Sequence, residues 1–167
     1  MKPKVPAKKL VKGQAKKPAK SSMMQMKLNN LLKKHVRMSQ QSSGNKSGQQ
    51  GRSVIRSTGV LKKNPTIKEA QIDFMNRRSS EVTATILYIN WDSNNPQLIA
   101  TQSDIVPSNT LAQFSNPILD VEFHYEIVVI QSHTANVIVN YFGSDIVSAP
   151  QTGNVVLDRD LIPIKLL

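Results

Sequence analysis

Glu122, His124 and Glu126 stand two residues apart, so an extended strand would put two carboxylates and an imidazole on one face, a donor set suited to a divalent cation. One strand seldom completes a coordination sphere alone, and a solvated charged face accounts for the same residues, so no metal ligand is assigned. His124 and His133 lie among many Ser and Asp residues, the raw material of nucleophilic catalysis. There is no Gly-x-Ser-x-Gly elbow, however, and after residue 79 only Gly143 and Gly153 are present to shape an anion-binding turn. Gly44-Asn45-Lys46-Ser47 has the ending of a phosphate-binding loop but lacks the glycine five residues earlier, the preceding strand and the following helix. A flexible linker explains it. The first half also pairs many lysines with Gln14, Gln25, Gln40, Gln41, Gln49 and Gln50, which would suit isopeptide cross-linking but equally follow from a polar, weakly folding composition. The expectation is a non-enzymatic protein with no catalytic residues, no cofactor and no metal.

Charge gives a stronger signal. The net charge is +11, but residues 1–78 hold 20 Lys and Arg against Glu69 and Asp73, a balance of +18. Residues 79–167 hold only Arg159 and Lys165 against nine acids, a balance of −7. A basic segment of this kind neutralises an anionic polymer or surface, or lies on an acidic patch of a neighbouring copy. With no aromatic residue before Phe74 to stack on bases, nucleic-acid binding would be electrostatic and unspecific. The absence of cysteine removes disulfides, thiol nucleophiles and thiolate metal sites together. No run approaches the roughly 20 apolar residues of a membrane span, and the basic start lacks the apolar core of an export signal.

Three segments follow. Residues 1–51 form a basic arm, expected to be mostly disordered because its Lys, Pro and Ala cannot bury enough apolar surface. Lys8, Lys9, Lys12, Lys16, Lys17, Lys20, Lys33, Lys34 and Arg37 are its candidate attachment residues. Within it, Met24, Leu28, Leu31, Leu32, His35 and Val36 recur at three- and four-residue spacing, which predicts a short amphipathic helix over 22–38. Its narrow apolar stripe (Met24, Leu28, Leu31, Leu32) suits a partner protein better than a lipid surface. Residues 52–78 are a connector in which Ile67, Ile72 and Phe74 mark a candidate strand, at an edge or donated to a neighbour. Residues 79–167 form an acidic β domain.

In that domain Val82 to Trp91 alternates β-branched and aromatic residues and ends at the turn Asp92 to Pro96. Strands are expected at 97–102, 110–114, 121–130, 136–142 and 154–165, the last broken by Asp158 to Asp160. Along 121–130, Phe123, Tyr125, Ile127 and Val129 fall on one face, expected to be core, and Glu122, His124 and Glu126 on the other, expected to be wet. Six or seven short strands point to an all-β antiparallel sandwich, jelly-roll-like if Ile67 to Met75 supplies the eighth.

Tyr88-Ile89-Asn90-Trp91-Asp92 followed by Pro96, Val106-Pro107, His124-Tyr125-Glu126, and Asn136 to Gly143 followed by Asp145 resemble the core domains of Bacillus-type endospore appendage and exosporium fibre proteins over about residues 80–165. The resemblance implies a jelly-roll subunit that stacks into fibres, with N-terminal segments reaching into the next subunit. It further implies a place at the spore surface, exosporium or coat, with other fibre subunits or copies of itself as partners. The lack of cysteine departs from disulfide-locked members, and the long basic arm makes an anchor on an anionic spore layer as good an expectation as a repeating subunit. The rival expectation is a small viral jelly-roll coat protein whose basic arm neutralises packaged nucleic acid.

Overall fold

The computed structural model describes residues 20–42, 53–93 and 95–166. Helix α1 (Lys20–Ser42) lies between Pro18 and Gly44 with neither Pro nor Gly in between, so no breaker interrupts it. Ten strands follow among the described residues: β1 (Val54–Ser57), β2 (Leu61–Lys62), β3 (Glu69–Asn76), β4 (Val82–Asn90), β5 (Gln97–Val106), β6 (Thr110–Pro117), β7 (His124–Gln131), β8 (Val137–Ser144), β9 (Pro150–Val156) and β10 (Ile162–Ile164). A 3-10 turn at Asp158–Asp160 separates the last two, as the charged interruption there predicts.

The strands form an antiparallel β-sandwich. The larger sheet runs β10-β1-β7-β4-β5, with β2 also paired to β7, and the smaller sheet runs β6-β3-β8-β9. Inward residues of both sheets make the main core, including Ile72 and Phe74 of β3, Ile86 and Tyr88 of β4, Tyr125, Ile127 and Val129 of β7, and Val139 and Tyr141 of β8. Phe74 and Phe114 meet edge to face at 6.3 Å, locking β3 to β6. A polar pin joins the sheets through this core: Tyr141 Oη donates to Tyr125 Oη, which donates to Asn154 Oδ1 at 2.6 Å. Burial pushes the Tyr125 phenol up to about 12 and raises those of Tyr88 and Tyr141 as well, so all three stay neutral donors at physiological pH.

The outer face of the larger sheet is apolar too. Ile55, Leu87, Ile89, Val128 and Ile130 form a second core with Leu28 and Leu32 of α1, while Leu31, Val36, Trp91 and Ile164 pack around it. The described residues therefore form three layers, helix on sheet on sheet. Burying Leu28 and Leu32 is worth about 1.5–3 kcal/mol each, and Lys27 Nζ adds a hydrogen bond to Asn95 Oδ1 at 2.9 Å.

Several expectations are corrected by this arrangement. The segment 52–78 is no peripheral connector. β1 pairs with β10 and β7, and β3 pairs along its whole length with β6 and β8. β3 is thus a central strand supplied by its own chain, because Ala70, Ile72, Phe74 and Asn76 point into the core while Gln71 and Asp73 face out. The folded unit begins at residue 53 or earlier, not at 79. Nor is the second face of β7 wet: Glu126 is buried, and Val128 and Ile130 lie in the helix-covered core. Phe123, expected inside, is 56% exposed, because the chain before His124 is a loop rather than strand.

Candidate assembly surfaces

Sheet margins decide where another chain can add. β10 is three residues long and carries Pro163, and β6 ends on Pro117, both features that discourage pairing. β5 differs. It is ten residues long, pairs only with β4 among the described residues, and contains no Pro, no Lys and no Arg. Leu98, Ile99 and Ile105 on it are 37%, 37% and 51% exposed, and Asp104 is its one charge. A single irregularity, opposite Tyr88 and Ile89, interrupts its register. Its middle is fixed by Gln102, whose Oε1 accepts from Tyr88 Oη at 3.0 Å and whose Nε2 donates to the Ser115 carbonyl at 2.7 Å. The margin is therefore held in place across the gap to β6.

Of the candidate connector residues, Ile67, Ile72 and Phe74 are all fully buried in the main core. Of the candidate partner-helix residues, Leu28, Leu31 and Leu32 pack on the larger sheet of their own chain, so this stripe is occupied internally; the side chain of Met24 lies outside the described residues. Lys8, Lys9, Lys12, Lys16 and Lys17, the side chain of Lys20, and Gly44 to Ser47 also lie outside them. Lys34 and Arg37 are exposed and Lys33 is half-buried, all on a helix with no acidic residue.

Glu126 does other work than metal binding. Its Oε1 accepts from Ser57 Oγ and its Oε2 from Trp91 Nε1 at 2.9 Å, joining β7 to β1 and to the end of β4. Burial raises its carboxyl pKa, partly offset by these two donors. Among the described residues no group of three or more His, Asp and Glu is placed to hold a metal ion, and no helix is long and apolar enough to cross a membrane. His133 Nδ1 meets Ser132 Oγ at 3.0 Å, but these are chain neighbours. Burial and then Arg78 lower the pKa of His133. An open recess of about 410 Å³ is lined by Lys62, Lys63, Asn64, Pro65, Gly153 and Asn154, a set with no carboxylate, hydroxyl or imidazole side chain.

Three charged residues missed in the sequence pin distant segments. Arg56 Nη1 bonds Asp158 Oδ1 at 2.7 Å and Nη2 bonds Gln131 Oε1 at 3.1 Å, while Asp158 Oδ1 also accepts the Val139 N–H at 2.8 Å. That set ties the larger sheet to the smaller. Lys63 Nζ donates to the carbonyls of Ile118 at 2.7 Å, Val121 at 2.6 Å and Leu119 at 3.4 Å. The Asp92 carboxylate accepts the N–H groups of Glu122, Phe123 and His124 at 2.6, 2.9 and 2.7 Å. Desolvation would raise the pKa of Asp92, but those three amides outweigh it and hold the carboxyl below its ordinary value. Partners 30 to 102 residues away in sequence leave no local pattern by which to find them.

No family model, curated protein or solved structure matches this chain.

Proposed function

We propose that this chain is a self-associating structural protein, a subunit or anchor of a spore-surface appendage. In this account the β5 margin docks a neighbouring subunit, and the basic N-terminal segment, Lys8 to Arg37, attaches to an anionic layer. The observation that carries it is β5 itself. Proteins that remain monomeric commonly blunt such margins with lysine, proline, bulges or short strands. β5 has one register irregularity, at Ile99, but no lysine and no proline, and it is long, uncharged over most of its length and carries exposed Leu98, Ile99 and Ile105. Main-chain pairing along it would give non-covalent assembly, in keeping with a chain that has no cysteine. The spore setting rests on the residues between Tyr88 and Asp145 that resemble appendage core domains.

The test is negative-stain microscopy of the purified full chain, alone and with isolated spore layers. Filaments, or decoration of the layers, are expected. A chain that stays dispersed and leaves the layers bare refutes the proposal. A second reading, a coat protein, draws support from the acid-free helix with Lys34 and Arg37 exposed; steeply salt-dependent nucleic-acid binding with closed shells forming only around nucleic acid would favour it.

A further inference from the structure

The loop between β6 and β7 is held far more firmly than its exposure requires. Ile118 and Val121 are buried anchors, 1% and 2% exposed. Lys63 binds three of the loop's carbonyls, Asp92 binds the three successive N–H groups that lead into β7, and Lys63 N–H donates to the Phe123 carbonyl at 2.7 Å. What this frame displays is Leu119, 64% exposed, and Phe123, 56% exposed, with the acids Asp120 and Glu122 exposed beside them. Large apolar side chains shown to water on a pre-ordered loop lose little entropy when covered.

The outward side of α1 has the matching composition. Met23, Met26 and Met38 are 52%, 59% and 54% exposed, interleaved with exposed Lys27, Lys34 and Arg37 and with no acid on the helix. Methionine adapts to irregular apolar partners and packs favourably on an aromatic ring. Leu28 and Leu32 fix the helix on its own sheet, so its methionine and cationic side faces away from that sheet.

We infer that the loop 118–123 of one copy docks on the outward face of α1 of a second copy, Leu119 and Phe123 against the methionines and Asp120 and Glu122 against Lys34 and Arg37. This deepens the self-association proposed above, on which it rests, by naming a contact distinct from the β5 margin. Both patches are held by contacts within the single chain, and their charges are opposite, which favours encounter and selects the register.

The test is charge exchange in the full chain, followed by sedimentation velocity over a concentration series. Asp120→Lys with Glu122→Lys makes both patches basic, and Lys34→Glu with Arg37→Glu makes both acidic. Each double variant alone should associate about tenfold more weakly than the original, a loss of about 1.4 kcal/mol, and their equimolar mixture should recover the original association. Leu119→Ser with Phe123→Ser should weaken association at all salt concentrations. These side chains are exposed, and an unchanged far-ultraviolet circular dichroism spectrum would show that each variant folds. If the charge variants associate as the original does, or their mixture fails to recover, the contact is refuted while self-association through β5 stands. If the original chain is monomeric throughout, self-association itself is refuted.

Discussion

Replacing Lys63 by Met should loosen the loop 118–123 and destabilise the whole sandwich, because one ammonium satisfies carbonyls of three loop residues. Two of its bonds are short, 2.7 Å to Ile118 and 2.6 Å to Val121, and the third, to Leu119, is 3.4 Å. A hydrogen bond to a charged group contributes about 1.5–3 kcal/mol, so the two short ones set a gross loss of about 3–6 kcal/mol. Part is returned. The burial that lowers the Lys63 pKa, assisted by Lys68 and opposed by Asp92 and Asp120, is relieved in Met. The net cost expected is about 2–4 kcal/mol, a large share of the typical 5–15 kcal/mol of a domain. Urea unfolding followed by Trp91, the one tryptophan, measures it. Lys62→Met is the control, since Lys62 is exposed, and should change stability by no more than about 0.5 kcal/mol. Hydrogen exchange at the Glu122 and Phe123 amides should accelerate in the Lys63 variant. Equal stability of the two variants would refute the clamp.

Trp91 also reports Glu126, through the bond from Nε1 to Oε2. Burial raises the folded pKa of Glu126 above its ordinary 4.5, so the charged form costs stability above that pKa and the cost is relieved as pH falls through it. Trp91 fluorescence should titrate with a midpoint above 4.5, and Glu126→Gln should abolish that transition. Asp92 has the opposite sign: its folded pKa is depressed, so its contribution is present above the unfolded value and lost as pH falls through the folded one. Gly143→Ala should cost about 1–3 kcal/mol by overpacking. An added Cβ there would lie 2.9 Å from Asn154 Cβ and 3.0 Å from both Ile67 Cδ1 and Tyr141 Oη; urea unfolding measures it. Leu32→Ala should cost about 2–5 kcal/mol of helix docking, seen as faster hydrogen exchange over α1 before any change in the β-sandwich amides.

The acidic half was legible because its strands are rich in β-branched and aromatic residues and its turns carry Pro, Asn and Asp. β4, β6, β7 and β8 fall close to where the pattern puts them, and the break at Asp158 to Asp160 separates β9 from β10. The boundary at residue 79 was misplaced for a physical reason: β1 carries Arg56 and β2 carries Lys62 with Lys63 beside it, so charge grouped them, and the β3 that follows, with the basic arm, although Arg56 and Lys63 direct their charges to internal partners. The helix-covered face left a signal that period-two counting overlooked. Ile86 to Ile89 and Ile127 to Ile130 are unbroken runs rather than alternations, the mark of strands buried on both faces. The pairing of Glu126 with Ser57 and Trp91, and the loop clamps, depend on contacts across the fold and were not readable locally.

The central claim, association through the β5 margin, is tested most directly by sedimentation velocity of the full chain beside Ile99→Lys with Ile105→Lys, which places two charges on exposed positions of β5. The account predicts that the original chain grows in size with concentration and that the β5 variant, folded by circular dichroism, stays smaller at every concentration. Association of the variant equal to that of the original would contradict it.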